Sequence, residues 1–526
     1  MKYIKVFNEH NAYITNNKLF PNISYCELEN EIHFNPEKKY SRCYLTFTAL
    51  ESGTISFNIW KSMGTDMITS ISYSTDNGET WTTVQNQDNK EEHLVIDVNV
   101  NTGDNILWKG IATQLGYEDE DDYADYVGSF FNSDCEFDAK GNVMSLLYGD
   151  NFKEQTTIEE NCTFCHLFSD YDEEKTCDIV NAKDLILPAT TLTNNCYSYM
   201  FLDCTSLTTV PELPATTLAD YCYRYMFYGC TSLTTVPELP ATTLTERCYN
   251  SMFRNCTSLT TPPSLPATTL ANYCYECMFQ GCTALTTTPS ILPATTLADR
   301  CYSGMFYGCT SLTTVPELPA TTLADYCYSG MFSGCISLTT APSILPATTL
   351  TKNCYSSMFA GCTSLTTAPT LSATTLKDYC CSSMFDGCTN LTTAPELPAI
   401  TLANSCYSNM FYGCTALTTT SSILPATTLA NYCYYYMFAG CTKLTTAPEL
   451  PATTLKSYCY YYMFIGCTKL NYIKAMFTTT PSSSYTYSWV SGVASSGTFV
   501  KNSAATWTTT GIHGIPTNWT VQTATE

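Results

Sequence analysis

The chain has 526 residues, too many for one compact domain and suited to about three. Only 13% of residues are charged, and the formal net charge is −23. Such a chain has no basic stripe to neutralise phosphates, which excludes nucleic acid as a partner, and it must stay soluble through the hydroxyls of Thr and Tyr rather than through charge. The N-terminus, MKYIKVFNEHNAYITNNKLF, lacks the apolar stretch of a secretory signal. No run is long and apolar enough to cross a bilayer. The expectation is a chain made in the cytoplasm without membrane insertion. Residues 1–40 are polar with scattered apolar anchors and read as an arm that docks on a partner.

From Tyr44 the pattern turns to β. YLTFTAL, TISFNIW, ITSISYS, WTTVQ, LVIDVNV and NILWKG alternate or run apolar, with turn residues between them. Short strands at this spacing predict a β-sandwich-like domain over 41–150. Ser74, Asp76, Gly78, Thr80 and Trp81 match the S-x-D-x-G-x-T-W pattern of the Asp box, which resembles the structural hairpins of sialidase propellers. One copy does not make a propeller, and a β-turn with Trp81 packed behind it is the reading preferred. The acidic run Glu118–Asp125, and Asp134, Asp138 and Asn142, offer oxygens to a hard cation, but neither spacing matches an EF-hand loop. A solvated loop accounts for the run, so no metal and no cofactor is expected. Residues 151–186 read as a diverged capping repeat, with Cys162 and Phe168 surviving from the motif that follows.

A repeat then fills 187–470. Cys196, Cys222, Cys248, Cys274, Cys301, Cys327, Cys354, Cys380, Cys406, Cys433 and Cys459 recur every 26 or 27 residues, each followed eight positions later by a second Cys. The longer spacings come from Ile291, Ile344 and Ile423. One of the eleven units reads LPATTLADYCYRYMFYGCTSLTTVPE, Leu213 to Glu238. At 100° per residue, Cys222, Tyr223, Met226, Phe227 and Cys230 share one arc, while Tyr221, Arg224, Tyr225 and Tyr228 fall opposite. This predicts a two-turn helix with a packed face, capped by Asp220 and ended by Gly229. Pro bounds the remainder, so only one short parallel strand is expected, near Leu233 to Val236. Stacked strands would build a sheet roughly 50 Å long. The cysteines are too far apart within a unit for a disulfide and lack zinc-ligand spacing. Buried, reduced ladders are expected.

The run MF-x-G-C-T-x-L-T-x-x-P, with Phe227, Cys230 and Leu233 at its centre, resembles the BspA-like leucine-rich repeat family of Bacteroidetes surface proteins. The resemblance covers about Thr157 to Leu470 and implies a repeat solenoid and an adhesin that binds host proteins or other cells. Here the unit is longer and no export signal is visible. Two flanks, PNISYCELENEIHFNP (Pro21 to Pro36) and GIHGIPTNWTV (Gly511 to Val521), resemble segments of Bacteroides phage and prophage virion proteins. The closing stretch, 471–526, lacks the repeat but keeps Trp489, Phe499, Trp507 and Trp519, and reads as a small β cap.

No nucleophile elbow, P-loop or dinucleotide fingerprint occurs, and none of the five His recurs in the repeat. A non-enzymatic protein is expected. The outward positions carry Tyr221, Arg224, Tyr225, Tyr228, Arg247, Arg254, Tyr273, Arg300, Tyr326, Tyr432, Tyr435, Tyr436, Tyr461 and Tyr462, the residue types that dominate interface energetics. They are read as a binding face, with an amphipathic cover between coils as the equal alternative. The resemblances together imply a tail- or head-fibre-type virion protein. Its N-terminal region would meet other virion proteins and its repeats a bacterial surface receptor, protein or glycan. A bacterial cell-surface adhesin is the alternative, and a homo-oligomer is compatible with either.

Overall fold

The computed structural model describes residues 42–60, 68–85, 93–118, 126–169 and 177–524, with the short pair β1 (Ile4–Lys5) and β2 (Tyr13–Ile14). The arm of residues 1–40, apart from that pair, and the acidic run beyond Glu118 lie outside the described residues. The chain forms two compact units, Met1–Ala241 and Thr242–Glu526.

The first unit is built on β3 (Leu45–Ala49), β4 (Gly53–Trp60), β5 (Ile68–Ser74), β6 (Thr82–Gln85), β7 (His93–Val100), β8 (Asn105–Ala112), β9 (Gly116–Glu118), β10 (Tyr126–Gly128), β11 (Phe130–Ser133), β12 (Phe137–Asn142) and β13 (Ile179–Ile186). A six-stranded sheet runs β13-β12-β3-β8-β5-β6 and a three-stranded sheet β11-β4-β7, antiparallel except for the β12–β13 pair. Alternation places Phe47 and Trp108 of the larger sheet, and Ile55, Phe57, Ile59 and Phe131 of the smaller, in the interior. Rings of both sheets meet in one core: Phe47 lies 4.7 Å from Phe131 and Phe57 6.0 Å from Trp108. Burying each such ring stabilises by about 2–3 kcal/mol. The Asp-box segment is a hairpin turn. The Asp76 carboxylate accepts the Thr80 N–H at 2.9 Å and the Thr80 hydroxyl, and Gly78 sits at φ 89°. Asp134 and Asn142 use their side-chain oxygens on the backbone N–H groups of Thr54 and Met144.

The repeats do not contain the helices expected of them. Among the described residues the one α-helix is α1 (Ser145–Tyr148), outside the repeats. In the unit of Leu213 to Glu238, Tyr221, Tyr225 and Gly229 have φ of 60°, 55° and 71°. A left-handed residue at every fourth position cannot lie in a right-handed helix. Instead the N–H groups alternate. Those of Arg224, Met226, Tyr228 and Cys230 close turns on the carbonyl three residues back, as Arg224 does on Tyr221 at 3.0 Å. In the preceding coil, Tyr197, Tyr199, Phe201 and Asp203 donate to the next coil's Cys222, Arg224, Met226 and Tyr228 at 2.7–3.0 Å. The true period is four residues, two inward and two outward. An isolated two-turn helix is marginal; the turn ladder trades its internal bonds for bonds along the stack. The inward residues are those of the predicted arc: Cys222, Tyr223, Met226, Phe227 and Cys230 are all buried.

The second unit repeats this design. Tyr302, Gly304, Phe306 and Gly308 donate to Cys327, Ser329, Met331 and Ser333 at 2.8–3.0 Å. Inside, Tyr275, Tyr302 and Tyr328 stack at 5.7 Å, and Phe279, Phe306 and Phe332 at 5.5 and 5.6 Å. The second Cys of each coil ties that coil to the one before it. The Cys335 thiol donates to the Phe306 carbonyl of the previous coil at 3.1 Å, and Cys309 to Phe279 at 3.0 Å. The described cysteines are all free thiols, and all but Cys277 are buried. Asp220 is not a helix cap either. Its equivalents form a ladder in which a side-chain oxygen accepts the N–H of the next coil, as Asp299 does from Asp325 and Asp325 from Lys352.

The single expected strand is replaced by two ladders of parallel bridges. One joins Thr340, Thr367, Thr393 and Thr419; the other pairs Thr243 with Thr269, Thr296 with Thr322 and Thr349 with Thr375. Only β14 (Ile344–Leu345) and β15 (Thr370–Leu371) reach strand length between them. Prolines on either side stop further pairing. The turn pattern also runs past 470: Ser488 and Gly492 are left-handed, and Tyr462 and Phe464 donate to Tyr487 and Trp489. Parallel strands β16 (Tyr472–Ala475), β17 (Thr498–Lys501) and β18 (Thr520–Thr523) follow. Trp489, Trp507 and Trp519 are buried, their indole N–H groups on backbone carbonyls at 2.8–3.1 Å.

Candidate binding face

The four-residue period determines what reaches solvent. Each coil presents three outward pairs, represented by 220/221, 224/225 and 228/229. Equivalent side chains of successive coils stand one above another, so each outward position becomes a column.

In the first unit, Tyr221, Arg224, Tyr225 and Tyr228 come together. The Arg224 guanidinium lies 4.8 Å from the Tyr225 ring centroid and 5.7 Å from those of Tyr199 and Tyr221. Tyr199 and Tyr225 stack at 5.0 Å, and Tyr225 meets Tyr228 edge-on at 5.7 Å.

In the second unit the remaining candidates fall into two groups. Arg247, Tyr273, Arg300 and Tyr326 occupy one column in four successive coils. Arg247 lies 4.3 Å over Tyr273 and Arg300 4.2 Å over Tyr326. Each such contact contributes about 0.5–2 kcal/mol, depending on desolvation. Arg300 also pairs with Glu276 at 3.9 Å, and Glu276 accepts from Asn250 at 3.0 Å. Arg254 lies in the third outward pair, half-buried.

The other group is aromatic throughout. Tyr432 stacks on Tyr458 at 4.7 Å, Tyr435 on Tyr461 at 5.7 Å, Tyr436 on Tyr462 at 4.4 Å and Tyr461 on Tyr487 at 4.8 Å. Columns meet edge to face: Tyr435 against Tyr436 at 4.6 Å and Tyr461 against Tyr462 at 4.7 Å. Burial and the neighbouring phenols Tyr435 and Tyr462 push Tyr436 up to about 12, and Tyr435 and Tyr461 move the same way. The hydroxyls are therefore neutral donors at physiological pH. Because rings within a column cover each other's faces, this patch shows solvent mainly ring edges and hydroxyls.

Sequence reading missed Tyr458, Tyr487, Tyr379 and Tyr412, which share this face. Tyr379 and Tyr458 occupy the repeat position of Tyr221, so aligning the units would have found them. Among the described residues no group of three or more His, Cys, Asp or Glu is placed to hold a metal, and no helix is long and apolar enough to cross a membrane.

Residues 177–304, 300–399 and 381–493 match the BspA type leucine rich repeat region, in 6 copies and over roughly three fifths of the chain. No curated protein matches the chain. Among solved structures, the crystal structure of a TLR13–ssRNA13 complex is similar over 62% of this chain and 42% of that one, with 13% identity and a TM-score of 0.23.

Proposed function

Since this chain belongs to the BspA type leucine-rich repeat family, we propose that it is a non-enzymatic binding protein of a phage or prophage particle, of tail- or head-fibre type, whose repeats engage a bacterial surface receptor. The observation that carries the binding role is the outward face itself. Tyr and Arg, the residues that concentrate interface energy, stand there in rigid columns fixed by the coil backbone. Such preorganisation lowers the entropy lost on binding. The matched family is one of repeats, and no catalytic family is matched. Assignment to a virion is supported by the resemblance of Pro21 to Pro36 and Gly511 to Val521 to phage-type flanks. In this reading a β-sandwich-like N-terminal domain attaches to other virion proteins.

A second reading, a bacterial cell-surface adhesin, is favoured by the family membership alone. Protein mass spectrometry of purified phage particles against washed bacterial envelopes separates the two. Peptides spanning Trp81 and Trp519 at stoichiometric levels in particles are expected. Their confinement to envelopes would overturn the virion assignment in favour of the adhesin.

A further inference from the structure

The first left-handed position of each coil in the second unit, that of Tyr221, reads Arg247, Tyr273, Arg300, Tyr326, Asn353, Tyr379, Ser405, Tyr432, Tyr458, all with φ between 51° and 59°. With one backbone conformation repeated, side chains leave in register at about 4.8 Å per coil. Two tyrosines separated by one coil therefore stand roughly 9–10 Å apart. That leaves room for one flat group between their rings.

The chain fills the first such gap itself. Arg300 lies between Tyr273 and Tyr326, its guanidinium carbon 5.8 and 4.2 Å from the two ring centroids. The second gap, between Tyr326 and Tyr379, has Asn353 at its base. The third, between Tyr379 and Tyr432, has only Ser405, whose side chain ends one atom beyond Cβ. Its walls are exposed, Tyr379 by 45% and Tyr432 by 39%, while Ser405 at the floor is 6% exposed. Tyr432 stacks face to face only with Tyr458, on the side away from Ser405, and Tyr379 touches no other ring among the described residues.

We propose that the slot formed by Tyr379, Ser405 and Tyr432 binds the guanidinium of an arginine side chain on a partner protein. The inference rests on the outward face being the binding surface, and it narrows the receptor to a protein presenting arginine. Arg300 shows how such a group is accommodated in the same column. Beside the slot, Asp378 precedes Tyr379, its carboxylate directed along the stack to accept the Asn404 N–H at 3.0 Å and the Asn404 side-chain amide at 3.4 Å. Lys377 lies one residue further from the ring. A planar guanidinium stacks flat on both ring faces at once and gives up its hydration more readily than a compact ammonium. A sugar would stack and donate a hydroxyl to a carboxylate, but as a neutral ring it lacks the cation's attraction to the two aromatic faces.

The test uses the full chain with N-acetyl-Gly-Arg-Gly-amide, its citrulline and lysine counterparts and a neutral maltooligosaccharide, followed by ligand-observed NMR. Ser405→Tyr closes the slot with a ring that Tyr432 and Tyr458 already carry on the same backbone, and Tyr432→Ser removes a wall. The arginine peptide should bind at least fivefold more weakly to either variant, and the citrulline peptide should bind the wild type at least fivefold more weakly than arginine does. Equal binding of the arginine peptide to wild type and Ser405→Tyr would overturn the proposal. So would equal uptake of citrulline, or a maltooligosaccharide that alone is lost in Ser405→Tyr. Binding of the chain to bacterial cells, measured in parallel, separates the two readings. Cells bound without peptide uptake overturn the slot alone; peptide bound at the slot without cell binding upholds the slot and overturns the receptor reading.

Discussion

Replacing a buried tyrosine of the inner column by phenylalanine should stabilise this protein, against the usual direction of core substitutions. Tyr275, Tyr302 and Tyr355 are 1% exposed, and their hydroxyls have no hydrogen-bond partner in the protein. Burial pushes all three phenols well above their ordinary range, so they carry their protons throughout the physiological span. An unpaired buried hydroxyl costs about 1–3 kcal/mol by mutational measures. Removing it leaves a void of a single oxygen, which forfeits about 0.5 kcal/mol of dispersion contacts. The net gain for Tyr302→Phe is thus about 1 kcal/mol. Ring stacking at 5.7 Å is retained. The fold already tolerates the loss of that hydroxyl, since Phe164 in the first unit and Cys381 in the second occupy the same repeat position and are buried. Combining Tyr302→Phe with Tyr355→Phe should give about 2 kcal/mol, because these rings are two coils apart and nearly independent. Urea denaturation reads the effect as a raised midpoint at unchanged slope. A lowered midpoint for Tyr302→Phe would refute the reasoning and mean that the hydroxyl has a buried partner, such as water.

Thiol-specific alkylation under native conditions should modify Cys277 alone among the described cysteines, the rest reacting only on unfolding. Burial and the neighbouring Glu276 carboxylate push Cys277 up to about 11, so its rate should keep rising with pH through the alkaline range. Asp76 is held at about 2 by the Thr80 hydroxyl and N–H, below its ordinary 3.8. A depressed carboxyl stabilises above its unfolded value and loses that contribution as pH falls from about 4 through 2. Asp76→Asn should therefore weaken the acid dependence of the first unit's melting in that window, and an unchanged profile would count against the hairpin assignment. Gly334→Ala should cost about 1–2 kcal/mol, from left-handed strain at φ 75° rather than from crowding, because a Cβ there would meet only the Gly308 backbone at 3.6 Å. A neutral result in the same urea assay would remove strain from the account.

Much of this architecture was legible in the sequence. The repeat boundaries, the buried set Cys222, Tyr223, Met226, Phe227 and Cys230, and the outward set beginning with Tyr221 follow from spacing alone. The helix did not survive, for a geometric reason: over nine residues, positions 0, 1, 4, 5 and 8 fit one face of a 3.6-residue period as well as they fit a four-residue period. The distinguishing signal was present at the third left-handed position, where Asp203, Gly229, Asn255 and Gly281 are residues that favour positive φ. The cysteine thiol on the previous coil's Phe carbonyl was not legible, because a donor's partner 29 residues away is visible only once the coils are stacked. Nor was the coil at 483–492, where Trp489 stands at the methionine position and no Cys marks the unit. On the binding face, residue types were readable but their grouping was not. The alternation of Arg247, Tyr273, Arg300 and Tyr326 acquires meaning only when one coil's side chain is known to lie on the next.

The account's central claim is that the outward face binds while the inward face folds. Tyr435, Tyr436, Tyr461 and Tyr462 allow the two to be separated, because Ser382, Ser383, Ser356 and Ser357 occupy the same positions in other coils of the same backbone. The direct measurement is bacterial cell binding by the wild-type chain and by the variant with all four tyrosines changed to serine, with thermal unfolding of each recorded alongside. The account predicts that the variant unfolds as a folded repeat protein does, within a few degrees of the wild type, and loses at least tenfold in cell affinity. Full cell binding by a folded variant would contradict it and leave the tyrosines as a cover for the coils.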